Sequence, residues 1–250
     1  MDYLSFVPIE LIELIIPYLD TAGLESFLNY HDVKNFINWN TVYFLHFLHF
    51  KNVDYGLYFT LLSVDKLKDK LNLEGTEEEI YNWKKLNLSF MNITEIPKEM
   101  GNLINLKHLE LSNNKIKIFP PEIGNLTNLK DLKLYYNEIK ILPSEIGNLT
   151  KLKHLGLSFN QLIKIPKEIG NLINLPALYL FDNKITEIPE EIGKLTNLTD
   201  LNLSHNQISK VPNSVKNLTK LKGFNLRDNK ISKEEGIKLK LLLPKTAISV

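Results

Sequence analysis

The sequence predicts an α/β solenoid: a right-handed coil whose short parallel strands line a concave face, preceded by an α-helical module. Three observations carry this expectation. A nine-residue frame, L-x-x-L-x-L-x-x-N, begins at Leu106 and returns at Leu129, Leu152, Leu175, Leu198 and Leu221, at offsets of about 23 residues. Inside each frame the leucines alternate with period two, as in Leu109 and Leu111, which sends them to one side of a strand. Between frames, proline and glycine return at fixed places.

Each part of the frame has a physical task. Parallel strands need a crossover, and the residues between frames supply it. Pro97, Pro120, Pro143, Pro166, Pro189 and Pro212 lack an N–H and resist strand or helix continuation there. The Asn closing each frame is placed to pair loop backbone that would otherwise be buried and unsatisfied. Gly101, Gly124, Gly147, Gly170 and Gly193 are expected to permit a turn on the outer side. A worn copy begins at Trp83, with Leu86, Leu88 and Met91 in the Leu, Leu and Asn slots. One copy cannot bury its leucines alone, so neighbours must stack. On these residues the chain resembles the leucine-rich-repeat family over about two-thirds of its length. The resemblance implies a concave parallel sheet backed by loops and short helical turns.

Composition narrows the function. The formal net charge is +1, which gives no global field for nucleic acid or membrane. Arg227 is the only arginine, against the guanidinium-based readout of phosphates and bases. The absence of cysteine excludes disulfides, thiolate metal sites and a cysteine nucleophile. Met1 to Asp20 carries acids and lacks a basic start, so an intracellular, cytoplasmic location is expected. The N-x-S/T triplets, such as Asn125 to Thr127, arise from the repeat itself.

Residues 1–50 stand outside the repeat and read as a helical module. Pro8 sits early in a helix, where its missing N–H costs nothing, and Leu11, Ile15 and Leu19 share a face. This segment is similar to an F-box: Val7-Pro8-x-Glu10, Ile15, Tyr18-Leu19-Asp20 and Leu24 match its pattern. Val7 replaces the usual Leu, and Pro17 is expected to kink the first helix. The resemblance implies a substrate-recruiting subunit of a cullin-type ubiquitin ligase. Its Skp1-like adaptor would dock on Pro8, Leu11, Ile15, Leu19 and Leu24. The alternative is a helical cap over the first repeat, on a stand-alone intracellular scaffold that binds a signalling protein such as a small GTPase.

Residues 51–82 form a helical joint, with a helix over Val64 to Leu71 and a capping box at Thr76 to Glu79. Repeats fill 83–231, and 232–250 form a C-terminal cap. There a second capping box, Ser232 to Glu235, starts a helix expected to turn Ile237, Leu241 and Leu242 inward. Ala247 to Val250 has room to add a last strand to the seven centred on the L-x-L cores.

The working surface is expected on the concave face, at the positions between and after the leucines. Ser112, Ser158 and Ser204 fall among those outward positions, and so does Gly156. Large aromatics cluster there in the middle copies: Tyr135, Tyr136, Phe159, Tyr179 and Phe181, with Lys133, Asp131 and His154 beside them. Grouped exposed aromatics suit binding of a protein target. His108 and His154 share a column two strands apart, roughly 10 Å, too far to share one ion. No metal, cofactor, nucleophile or paired-carboxylate site is expected, and the chain reads as a binding protein, not an enzyme.

Overall fold

The computed structural model describes residues 55–250. Residues Val64–Val250 form a compact unit that holds the solenoid. The adaptor-docking positions Pro8, Leu11, Ile15, Leu19 and Leu24 lie outside the described residues.

Helix α1 (Tyr55–Leu71) begins nine residues before the expected Val64, and its Val64, Leu67 and Leu71 enter the core. Helix α2 (Glu77–Tyr81) starts at a complete capping box: Thr76 Oγ1 accepts from Glu79 N–H, and Glu79 Oε2 accepts from Thr76 N–H at 2.8 Å. Eight three-residue strands come next, paired in sequence order and all parallel. They are β1 (Lys85–Asn87), β2 (His108–Glu110), β3 (Asp131–Lys133), β4 (His154–Gly156), β5 (Ala177–Tyr179), β6 (Asp200–Asn202), β7 (Gly223–Asn225) and β8 (Ala247–Ser249). The register places leucine on leucine, Leu109 on Leu132 on Leu155, so every core layer repeats the last. β4 and β5 pair only through Gly156 and Tyr179. Pro176 precedes β5 and has no N–H to continue the ladder.

Behind the sheet each crossover from β1 through to β7 holds a five-residue 3₁₀ helix, such as Ser144–Asn148, entered from the repeat's proline with φ between −60° and −73°. The glycines of these helices serve close approach, and the expected turn role is corrected. A Cβ on Gly147 would lie 2.7 Å from both the backbone O and the Cβ of Glu168 in the next copy. Gly101, Gly124, Gly170 and Gly193 meet the same wall, and none of them has positive φ.

The frame asparagines form a ladder. The Nδ2 of each reaches a carbonyl 26 residues back, as Asn160 does to Leu134 at 2.8 Å, and each Oδ1 accepts an N–H 21 residues back. Asn114, Asn137, Asn160 and Asn206 are buried; Asn183 and Asn229 are half-buried. A second ladder on Asn105, Asn128, Asn174 and Asn197 also bonds carbonyls of the preceding copy.

At the C-terminal end β8 does add a strand, and α3 (Lys233–Leu242) closes the core, but through Gly236, Leu239 and the following Leu243. The expected inward face fails. Ile237 is 61% and Leu241 78% exposed, and Leu242 is half-buried. The second capping box is only half formed. Ser232 Oγ accepts from Glu235 N–H, while the Glu235 carboxylate turns to Val211 N–H at 2.9 Å and Lys238 Nζ at 3.0 Å.

Candidate protein-binding surface

Strand alternation sends Leu109 and its equivalents inward and leaves the flanking positions facing the concave side. Along the first of these columns the register gives Lys85, His108 and Asp131, with His154 next to Asp131. His108 Nδ1 lies 3.7 Å from Asp131 Oδ2, and Lys133 Nζ lies 3.4 Å from Glu110 Oε2 on the neighbouring strand. Asp131, Lys133 and His154 thus adjoin, as the spacing implies.

The residue just before the Asn slot departs from ordinary backbone in every copy. Phe90, Asn113, Tyr136, Phe159, Asp182, His205 and Asp228 all have φ between 53° and 61°. Asn and Asp tolerate this left-handed region and His is enriched there; bulky aromatics are genuine outliers in it. Three copies nevertheless carry aromatics. The Tyr136 and Phe159 rings stack at 4.1 Å and 9°, and Phe159 meets the edge of Phe181 at 5.0 Å and 80°. Tyr136 is 51% exposed, Tyr179 39%, and Phe181 and Phe159 are half-buried. These rings form a ridge along the end of the sheet.

Tyr135 behaves differently. Its ring lies across β4 over Gly156, where any Cβ would collide with it. Gly156 is therefore buried, although alternation predicts that its position faces outward. Burial pushes the Tyr135 hydroxyl above its ordinary range, opposed by Lys133 and reinforced by Asp131, Tyr179 and Glu110. Ser112, Ser158 and Ser204, also expected outward, are buried. They alternate with Tyr135, Phe181 and Arg227 in one column.

Repeated leucine layers and an Asn ladder stand in register behind a single parallel sheet, and the profile of the family described as "Leucine-rich repeat region" matches residues 59–183 and 164–242. The chain belongs to the leucine-rich repeat family. Among solved structures it is similar to a leucine-rich repeat protein of Leptospira interrogans, with 40% identity over 69% of this chain and 44% of that one, at TM-score 0.65. It is similar to an internalin of Listeria monocytogenes, with 32% identity over 66% of this chain and 47% of that one, at TM-score 0.59. The chain thus spans less than half the length of either. A third is the Arabidopsis receptor kinase HAESA, solved with a peptide hormone and a co-receptor, with 36% identity over 58% of this chain and 26% of that one, at TM-score 0.54. No curated protein matches the chain.

Two features of this leucine-rich repeat surface escape sequence reasoning. Phe90 is 73% exposed, and with Tyr136 it borders a cleft of about 570 Å³ over Asn113, Glu110 and Ser112. Its place in the left-handed column is legible from spacing, but the strain there is not. Ile118, Ile141 and Ile163 are exposed on consecutive copies just past the Asn ladder. The signal is a β-branched apolar residue at the free positions of the I-x-x-I-P stretch, where the other copies carry Glu, Lys, Thr or Ser.

Proposed function

We propose that this leucine-rich repeat chain is an intracellular, non-enzymatic recruiter. In this reading its concave face holds a protein target through Tyr135, Tyr136, Phe159, Tyr179 and Phe181, oriented by Asp131, Lys133 and His154. One observation carries this reading. Tyr136 and Phe159 occupy a backbone conformation that costs a bulky residue of order 1–3 kcal/mol, where four other copies place Asn, Asp or His. Outliers of this kind gather at ligand clamps. The solved relative bound to a peptide hormone and a co-receptor supports a polypeptide ligand.

The finer proposal is that residues 1–50 work as an F-box, docking a Skp1-like adaptor so that the target is delivered to a cullin-type ubiquitin ligase. The Val7-Pro8-x-Glu10 start and the Tyr18-Leu19-Asp20 end support it. Two measurements on the full chain test the reading. Ile15→Lys should abolish binding of a purified Skp1-like adaptor and leave the solenoid's melting unchanged. If the wild type fails to bind the adaptor, the stand-alone scaffold is the correct reading. Tyr179→Ala with Phe181→Ala should weaken the target recovered from cells by about 2 kcal/mol or more. Equal affinity with an intact fold would move the target site elsewhere.

A further inference from the structure

Net charge conceals a local concentration. The residue after the first frame leucine, or after Trp83 in the worn copy, is lysine in four successive copies: Lys84, Lys107, Lys130 and Lys153. All four are exposed. The backbone fixes their adjacency, because Lys107 N–H donates to Lys84 O, Lys130 N–H to Lys107 O and Lys153 N–H to Lys130 O, each at 2.8 Å. Their Cα atoms therefore follow the strand spacing of about 4.8 Å. Lys85 lies beside them, and Lys151 precedes Leu152 on the same edge. None of the four forms an ion pair among the described residues. In the two positions that follow the first frame leucine, from Lys84 to His154, Asp131 is the one acid.

The fold does not ask for this column. Pro176 and Thr199 fill the same position in the next two copies, and those copies stack as well. Like charges side by side on neighbouring strands oppose one another. A column of cations without partners is complementary to a row of anions. We propose that the edge carrying Lys84, Lys107, Lys130 and Lys153 is a docking surface for an acidic polypeptide segment, a run of Asp and Glu in a protein partner. A nucleic acid is disfavoured, because the column is made of lysines and no guanidinium is present to grip phosphate in two-pronged fashion. The site lies on the opposite edge of the concave face from the aromatic ridge and does not rest on it.

The test uses the full chain and a fluorescent ten-residue oligoglutamate. Binding is measured by anisotropy at about 0.05 M and about 0.5 M salt, across which screening shortens from over 10 Å to a few Å. The expected result is salt-sensitive binding that falls more than tenfold in Lys107→Glu with Lys130→Glu, and about threefold in the milder Lys107→Gln with Lys130→Gln. Lys140→Glu with Lys164→Glu, away from this edge, should leave it unchanged, as should Tyr179→Ala with Phe181→Ala. Thermal melting monitors folding in each variant. No binding to oligoglutamate, an equal loss in the Lys140 and Lys164 control, or tighter binding of a single-stranded oligonucleotide of the same charge each overturns the proposal.

Discussion

Removing one rung of the asparagine ladder tests how the solenoid is held together. Asn160 sits mid-stack, 8% exposed. Its Nδ2 donates to the carbonyls of Leu134 at 2.8 Å, Leu157 at 3.2 Å and Ser158 at 3.4 Å, and its Oδ1 accepts from Ile139 N–H at 3.1 Å. In Asn160→Ala the three carbonyls keep partners: Leu134 has Asn137 Nδ2, Leu157 has Asn183 Nδ2, and Ser158 has Tyr136 N–H. The N–H of fully buried Ile139 has none left. One buried orphan costs about 1–3 kcal/mol, and the lost bond to Leu134 adds roughly 0.5–1.5, so a loss of roughly 2–4 kcal/mol is expected. Asn160→Asp should be at least as damaging, since it keeps the acceptor, loses the donors and buries a charge among carbonyls. Asn229→Ala should cost less, because that rung is half-buried. Urea denaturation followed by circular dichroism measures all three. A loss below about 0.5 kcal/mol for Asn160→Ala would show that the loops hold their own backbone without the ladder.

The same geometry sets other outcomes. Gly147→Ala should destabilise by about 1–3 kcal/mol through overpacking against Glu168; if helix propensity governed the site, thermal melting would instead show a gain. Phe90→Asn should stabilise by about 1 kcal/mol, because it relieves a left-handed aromatic that has no ring partner among the described residues; a loss in urea midpoint would mean that Phe90 packs productively. Acid should weaken the tie between α1 and the first 3₁₀ helix (Lys98–Asn102). Burial raises the Glu99 carboxylate, but the Lys70 ammonium at 2.9 Å and a backbone N–H outweigh it and leave it below the usual range. A depressed carboxylate contributes stability above its unfolded value of about 4.3, and the contribution is lost as pH falls through the folded value. The wild type's advantage over Glu99→Gln should therefore shrink between about pH 5 and pH 3, and an advantage that grows on acidification would contradict the assignment.

The repeat made the solenoid legible because its constraints are local. A period-two leucine pair sets a strand face, and an Asn at fixed offset sets the ladder, so β1 to β7 and their order could be read directly. The features that escaped depend on neighbours in space. The glycines look like turn residues until Glu122, Glu145 and Glu168 of adjoining copies are set against them. Ser112 and Ser158 look like surface residues because alternation alone puts them outward; the leaning of Tyr135 over Gly156 is a side-chain decision that no period encodes. Helix α3 misleads for the same reason. Its apolar residues offer two faces, and the sequence does not say that Leu239 and Leu243 will meet the last repeat while Ile237 and Leu241 stay outside. Of the candidate binding residues, the columns were legible from spacing. The ridge, which depends on ring contacts and a left-handed backbone, was not.

The left-handed column links stability to function in this chain. Every copy must turn sharply after its strand, so positive φ is a property of the repeat and not of any one residue. A position whose conformation is dictated but whose side chain is exposed can change chemistry without endangering the core. Asn113, Asp182 and Asp228 satisfy the backbone at low cost. Tyr136 and Phe159 recover part of their strain by stacking, about 0.5–1.5 kcal/mol for a well-placed aromatic pair, and Phe90 has no such compensation among the described residues. Packing therefore explains the middle of the ridge in part and leaves the Phe90 end unexplained by the folded state alone. Phe90, exposed and without a ring partner among the described residues, borders the cleft above Asn113 together with Tyr136. That arrangement favours the proposed reading of a ligand-facing rim over a ridge kept only for stiffness, which would place its aromatics where they touch.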